Sequence, residues 1–362
     1  MTKAFVSCLL FWFALVVFQA KADDKVAATA KIIGGIESSQ NEVPWQAYLN
    51  MTYSTDNGSE TFVCGGVVIA SQVVLTAAHC MQNGATTVRA ENVKVWAGIT
   101  SVFSARTSNA VLVTKVILHP SYNAGRFAND IALLVLGAPL PVASIPILPA
   151  TRAEQQLADN EFVNGWVANG QRPANLLVSG WGATQIEPAN SAGSTMLRQT
   201  LLSGVPDTIC DNVWGSNINA SDLSIFLCAG SPSPLLARDS CFGDSGGPLV
   251  WQNAQKASDN DFGLRLVGLV SFGEGCAGQL PGVYTEVAQY HDWITGLLSS
   301  ELNIETMITP QFTVNPFNSD YTGAGADIAT PSTTGVTSDD SGGSFGFFSM
   351  LLMAVFIRWR RS

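Results

Sequence analysis

Positive charge is scarce in this sequence: 18 Lys and Arg stand against 28 Asp and Glu, a formal net charge of −10. Surfaces that track phosphates draw their affinity from Lys and Arg, so no nucleic-acid partner is expected. Charge of either sign is thin, at 13% of residues, while apolar residues make up 47%. A chain of 362 residues with that balance buries a large core and is not disordered throughout. Histidine occurs three times, and no CxxC pair is present. No zinc-ligand pattern forms, and neither a metal nor a cofactor is expected. Long apolar runs are missing too. The two that exist, Phe5 to Phe18 and Phe345 to Ile357, fall short of the roughly 20 residues that a spanning helix needs.

Each short apolar run has a use. Lys3, the first run and the closing Ala20-Lys21-Ala22 make residues 1–22 an export signal, with the mature chain starting at Asp23. Its removal takes Cys8 and leaves Cys64, Cys80, Cys210, Cys228, Cys241 and Cys276 in a chain bound for an oxidising compartment. Three disulfides are expected, and composition alone leaves all fifteen pairings open.

Between Lys31 and about Ser300 the chain reads as short β-type runs separated by Gly, Pro, Asn and Ser, among them Thr61 to Ile69, Val93 to Ala97, Val111 to Leu118 and Leu264 to Ser271. That spacing suggests antiparallel barrels or sandwiches. Helical periodicity is mainly confined to Val287 to Leu298, and Thr151 to Ala174 reads as a connecting loop with a short amphipathic beginning. Beyond Leu302 the composition turns to Thr, Ser, Gly, Pro and Asp, so residues 303–341 are expected to be a linker. Residues 342–362 follow as Gly342-Gly343, the second apolar run and three arginines.

Chemistry concentrates in three segments: Leu75-Thr76-Ala77-Ala78-His79-Cys80, Asn129-Asp130-Ile131-Ala132 and Gly243-Asp244-Ser245-Gly246-Gly247-Pro248. A serine hydroxyl is a weak nucleophile until a base takes its proton. His79 is the candidate base, and a buried carboxylate at Asp130 would fix its tautomer and stabilise its charged form. Gly243 lets the backbone turn its N–H toward a reacting carbonyl, and with the N–H of Ser245 it would form an oxyanion hole.

With these segments in the order His, Asp, Ser, the chain resembles the chymotrypsin family of serine proteases over about residues 32 to 300. The resemblance implies two packed six-stranded antiparallel β-barrels with a C-terminal helix, an all-β fold. Residues 32–302 would be the protease domain. It implies the pairings Cys64 to Cys80, Cys210 to Cys228 and Cys241 to Cys276. Lys31-Ile32-Ile33-Gly34-Gly35 is similar to the family's activation site. Residues 23–31 would then be a propeptide, cut after Lys31 by an activating protease, and the freed Ile32 amine would pair with Asp244. Asp239 falls where trypsin-like members carry the acid at the pocket floor, which implies protein or peptide substrates with Arg or Lys at the cleavage site. Ser271, Gly273 and Gly282 match substrate-binding and wall positions. Phe272 replaces the more usual Trp, and Phe242 is bulkier than usual.

The C-terminal residues 342–362 resemble the GlyGly-type sorting tails of Gram-negative bacterial exported proteins, which implies a tail-processing membrane protease and transient tethering. A GPI signal and a permanent short anchor are the alternatives. The expected product is a monomeric secreted or cell-surface enzyme. The rival class is a protease-like binding module that has lost catalysis, which usually lacks a triad or pocket residue.

Overall fold

The computed structural model describes residues 32–55, 58–183, 193–322, 324 and 326–327. The expected export signal, the expected propeptide with Lys31 and the Gly-Gly tail lie outside the described residues. No helix among the described residues is long and apolar enough to cross a membrane.

Six strands close the first barrel: β1 (Gln46–Thr55), β2 (Gly58–Ala70), β3 (Val73–Thr76), β4 (Val93–Ala97), β5 (Val111–Leu118) and β6 (Ala132–Leu136), in the order β1-β2-β3-β6-β5-β4. Alternation drives β1 into it. Ala47, Leu49, Met51 and Tyr53 point inward at two-residue spacing and join Val68, Val74, Val95 and Leu134 in the barrel interior.

The second barrel is built from β7 (Leu176–Gly180), β8 (Arg198–Val205), β9 (Phe226–Gly230), β10 (Pro248–Gln252), β11 (Leu264–Phe272) and β12 (Gly282–Glu286). Its order is β8-β7-β10-β11-β12-β9, and pairing of β8 with β9 closes it. Ile36–Glu37 adds a short strand against Gln199 and Arg198 of β8. Strand β8 is buried along its whole length despite four polar residues, each of which has a partner: Gln199 Oε1 accepts from Ser38, Thr200 donates to the Gly34 carbonyl, Ser203 donates to the Pro173 carbonyl, and Arg198 Nη2 donates to Glu37.

Two features depart from the sequence reading. The stretch from Thr151 is a helix, α1 (Arg152–Gly165), rather than a loop: Thr151 and Glu154 form a reciprocal capping box, and Ala158 and Phe162 face the second barrel's core. A further helix, α2 (Asp207–Trp214), carries Cys210. The closing helix falls as expected, at α3 (His291–Leu302), with Ile294 and Leu298 buried. The second departure follows α3, where residues 303–322 of the segment read as linker pack against the body, and its residues 328–341 lie outside the described residues. Phe312 is buried against Trp45, with ring centroids 4.9 Å apart in an edge-to-face arrangement, inside the cluster that joins the two barrels through Ile131, Leu133, Leu177 and Leu266. Its few apolar residues are spaced to fill individual gaps, which composition averaged over the segment conceals.

Disulfides join Cys64 to Cys80, Cys210 to Cys228 and Cys241 to Cys276, the pairing that the resemblance implied. Removing one such bridge from a secreted domain costs about 2 to 5 kcal/mol.

Phe312→Ala is expected to destabilise the chain by about 3 to 5 kcal/mol, whereas Val142→Ala, at a residue 99% exposed, should stay within about 0.5 kcal/mol. Urea unfolding of the two variants reads the difference, and equal midpoints would show that the segment after α3 is not part of the domain.

Candidate active site

The candidate site forms where the two barrels meet. His79 lies on the helical turn Ala78–Met81 that follows β3, and the Cys64–Cys80 bridge ties that turn back to β2. Asp130 precedes β6 and is fully buried. It accepts from the His79 backbone N–H at Oδ1 (2.8 Å), and Oδ2 lies 2.8 Å from His79 Nδ1. The second barrel completes its shell. Ser271 Oγ donates to Oδ2 at 2.6 Å, and Thr285 Oγ1 donates to the Asp130 carbonyl at 2.9 Å. A register irregularity of β11 against β12 falls between Val270 and Phe272, and this is the point at which Ser271 turns toward Asp130. The side chain of Ser271 therefore serves the acid.

Burial alone would lower the pKa of His79. The charge of Asp130 and the hydrogen bond to it outweigh that effect and hold it above the ordinary histidine value. Such a ring is a stronger base at its free nitrogen, Nε2.

Ser245 sits on a tight loop between Cys241 and β10. Its carbonyl accepts from the Gly65 N–H at 2.8 Å, which fixes the loop against β2 of the first barrel. Among the described residues Ser245 Oγ makes no hydrogen bond to His79, a pair that commonly tightens only when substrate is bound. Cys80 Sγ lies 3.8 Å from His79 Nε2. The sulfurs of Cys64 and Cys80, with His79, form a cluster of metal-ligand type, but both belong to one disulfide and offer no thiolate. The loop's amides divide into two groups. The N–H groups of Asp244, Gly246 and Gly247 donate to Cys241, Val270 and Asp244 carbonyls, whereas no acceptor among the described residues engages those of Gly243 and Ser245. Gly243 has φ of +98°, a conformation that side chains resist.

Two further carboxylates are buried close by. Asp244 accepts from the Gly182 N–H (2.7 Å) and the Cys241 N–H (2.9 Å), and among the described residues no cationic side chain pairs with it. Desolvation pushes it up to about 7. Asp239 accepts from the Ala277 N–H at Oδ2 (2.8 Å), while its Oδ1 is buried with no partner among the described residues. Desolvation likewise pushes it up to about 7, against the pull of the Ala277 and Ser240 N–H groups. A Cβ on Gly282 would lie 3.0 Å from that orphan oxygen, so glycine there keeps the acid open. Gly273 lies across from it, with a Cβ position 4.0 Å from the Gly282 Cα. Ile32 is fully buried in the second barrel's core, and the Ile33 carbonyl accepts from the Asp239 N–H at 3.3 Å.

Phe272 belongs to an aromatic row that reading the sequence missed in part. Phe127 stands 5.5 Å from the His79 ring edge-to-face, Phe272 stands 5.5 Å from Phe127, and Trp214 stands 5.5 Å from Phe272. Phe127 has φ of 53°, a strained backbone that only the fold reveals. Phe242 is more than half exposed beside the loop.

Two closed barrels meeting at a His–Asp pair and a serine on a glycine-rich loop define the chymotrypsin-like serine proteases. The Trypsin family profile matches residues 32–294, and the chain belongs to that family. It is 32% identical to Trypsin eta of Drosophila erecta over 293 residues, covering 80% of this chain and 96% of the relative. It is 34% identical to human Transmembrane protease serine 5 over 270 residues, 73% of this chain but 51% of the relative, so the chain spans about half of that protein's length. Membership makes the chain a serine protease, a hydrolase acting on protein substrates.

The Asp244 carboxyl yields a test of sign. Its folded pKa, about 7, lies above its ordinary value of 3.8. As pH rises from about 4 to about 7, the unfolded chain loses this proton first, so stability falls across that window. Urea unfolding of an Asp244→Asn precursor should show a flatter decline over that range than the parent does. Parallel declines would mean that Asp244 is not titrating there.

Proposed function

We infer that this protein is an exported endopeptidase, made as a zymogen, that cuts after Arg or Lys through a Ser–His–Asp triad. The bond between His79 Nδ1 and the buried Asp130 supports the triad. It leaves Nε2 as the site that takes the Ser245 proton when Oγ attacks the scissile carbonyl. The tetrahedral oxyanion would then be received by the N–H groups of Gly243 and Ser245, for which no acceptor occurs among the described residues. His79 returns the proton to the leaving amine, and an acyl group remains on Ser245 until water, activated by the same imidazole, releases it.

Specificity rests on one observation, the orphan Oδ1 of Asp239. A buried carboxylate oxygen without a donor costs free energy until a guanidinium or ammonium reaches it. Activation has parallel support. Asp244 is a buried acid with no cationic partner among the described residues, and an Ile32 amine released by cleavage after Lys31 would supply one. The pairing would hold the Gly243 loop in place. Export through residues 1–22 and a sorting role for residues 342–362 remain part of this reading on sequence grounds, and both segments lie outside the described residues. A binding module without catalysis is not favoured, since each position that catalysis requires is filled.

Peptide-library cleavage after treatment with trypsin should show cuts after Arg and Lys. Asp239→Asn should remove that preference. Asp130→Asn should lower kcat about 10⁴-fold, the size this change has in a related enzyme. Cleavage that is indifferent to residue 239 would refute the pocket assignment.

A further inference from the structure

The chain beyond α3 runs back to the candidate substrate pocket. Asn303 ends the helix in a left-handed conformation, and Ile304, Met307, Phe317 and Tyr321 pack on the inter-barrel core around the buried Phe312. Polar bonds fix this path. The Phe312 N–H donates to the Asn260 carbonyl at 3.0 Å, Gln199 Nε2 donates to Tyr321 Oη at 3.0 Å, and the Ser319 hydroxyl donates to Glu42. It ends beside the segment that carries Asp239. The buried guanidinium of Arg238 donates through Nε (3.2 Å) and Nη2 (2.7 Å) to the Ala324 carbonyl, and Ala326–Asp327 pairs antiparallel with Leu236–Ala237. One residue later the Asp239 N–H makes its 3.3 Å bond to Ile33.

A two-residue strand has little order of its own in water. A buried guanidinium is tolerable only where its donors are satisfied. The chain after α3 supplies both needs of residues 236–238, a backbone ladder and an acceptor for Arg238. Those residues immediately precede the acid of the candidate pocket.

We propose that residues 303–322, with Ala324 and Ala326–Asp327, form a positioning strap, with Arg238 as its clamp, that holds the Asp239 segment in the conformation that accepts a substrate cation. This rests on the reading of Asp239 as the pocket floor. Order supplied before the substrate arrives lowers the cost of binding it. The strap therefore acts on ground-state capture of the cation, and Arg238 is a positioning residue that touches no reacting atom.

Benzamidinium, a planar monocation, is the probe, used on the full chain after cleavage at Lys31. Two variants test the strap: Arg238→Met, and a chain ended after Thr322, which keeps Phe312 and Tyr321 seated. Each should bind benzamidinium on the order of tenfold more weakly than the parent. KM for an Arg substrate should rise by a similar factor, while kcat stays within about twofold. Arg238→Lys should fall between parent and Arg238→Met. Unchanged affinity and KM in both variants, with only a lower unfolding temperature, would overturn the strap and leave the pocket reading standing. Benzamidinium affinity unchanged by Asp239→Asn would overturn the pocket reading, and the strap with it.

Discussion

One buried carboxylate ties the two halves of this protein together. Asp130 belongs to the first barrel, yet two hydroxyls of the second donate to it, Ser271 to Oδ2 and Thr285 to the main-chain carbonyl, while Oδ1 accepts from the His79 backbone N–H and Oδ2 also holds the His79 ring. A charge taken out of water is tolerated only when such donors surround it. The barrels must therefore meet in one relative arrangement, and that arrangement puts the imidazole at the cleft. Barrel packing and the orientation of the base are one constraint, because a slip between the barrels would strip Asp130 of half its donors.

The second barrel carries the opposite condition. Asp239 and Asp244 are buried with incomplete partners, and desolvation raises both. The fold bears this cost through the Cys241–Cys276 bridge, the backbone donors around each acid and the packed segment behind them. A cation completes each site in the proposed function: a substrate side chain at Asp239 and the new amine at Asp244. In that reading, completion by ligand rather than by the fold itself would let both specificity and activation be switched.

Much of this was legible because strong local patterns survive in the sequence. Val93–Ala97 and Val111–Leu118 are strands with the bounds that their apolar runs suggested. The candidate triad segments carry rare residue combinations. Less visible were elements whose stability is tertiary. Helix α1 is short of apolar residues and depends on Phe162 and its Thr151–Glu154 cap, and β8 hides its strand character behind Arg198, Gln199, Thr200 and Ser203, whose partners lie far away in sequence. The segment after α3 looked like a linker because Phe312 and Tyr321 act singly, each filling one site. Phe127 escaped notice for a similar reason, since its place over His79 depends on a left-handed backbone.

The central claim is that the ring held by Asp130 acts on Ser245. It is tested most directly by treating the chain, cut after Lys31, with a serine-reactive phosphonate and locating the adduct by mass spectrometry. A single adduct on Ser245, formed far more slowly when His79 is replaced by Ala, is the expected result. No adduct on Ser245, or a rate indifferent to His79, would contradict it.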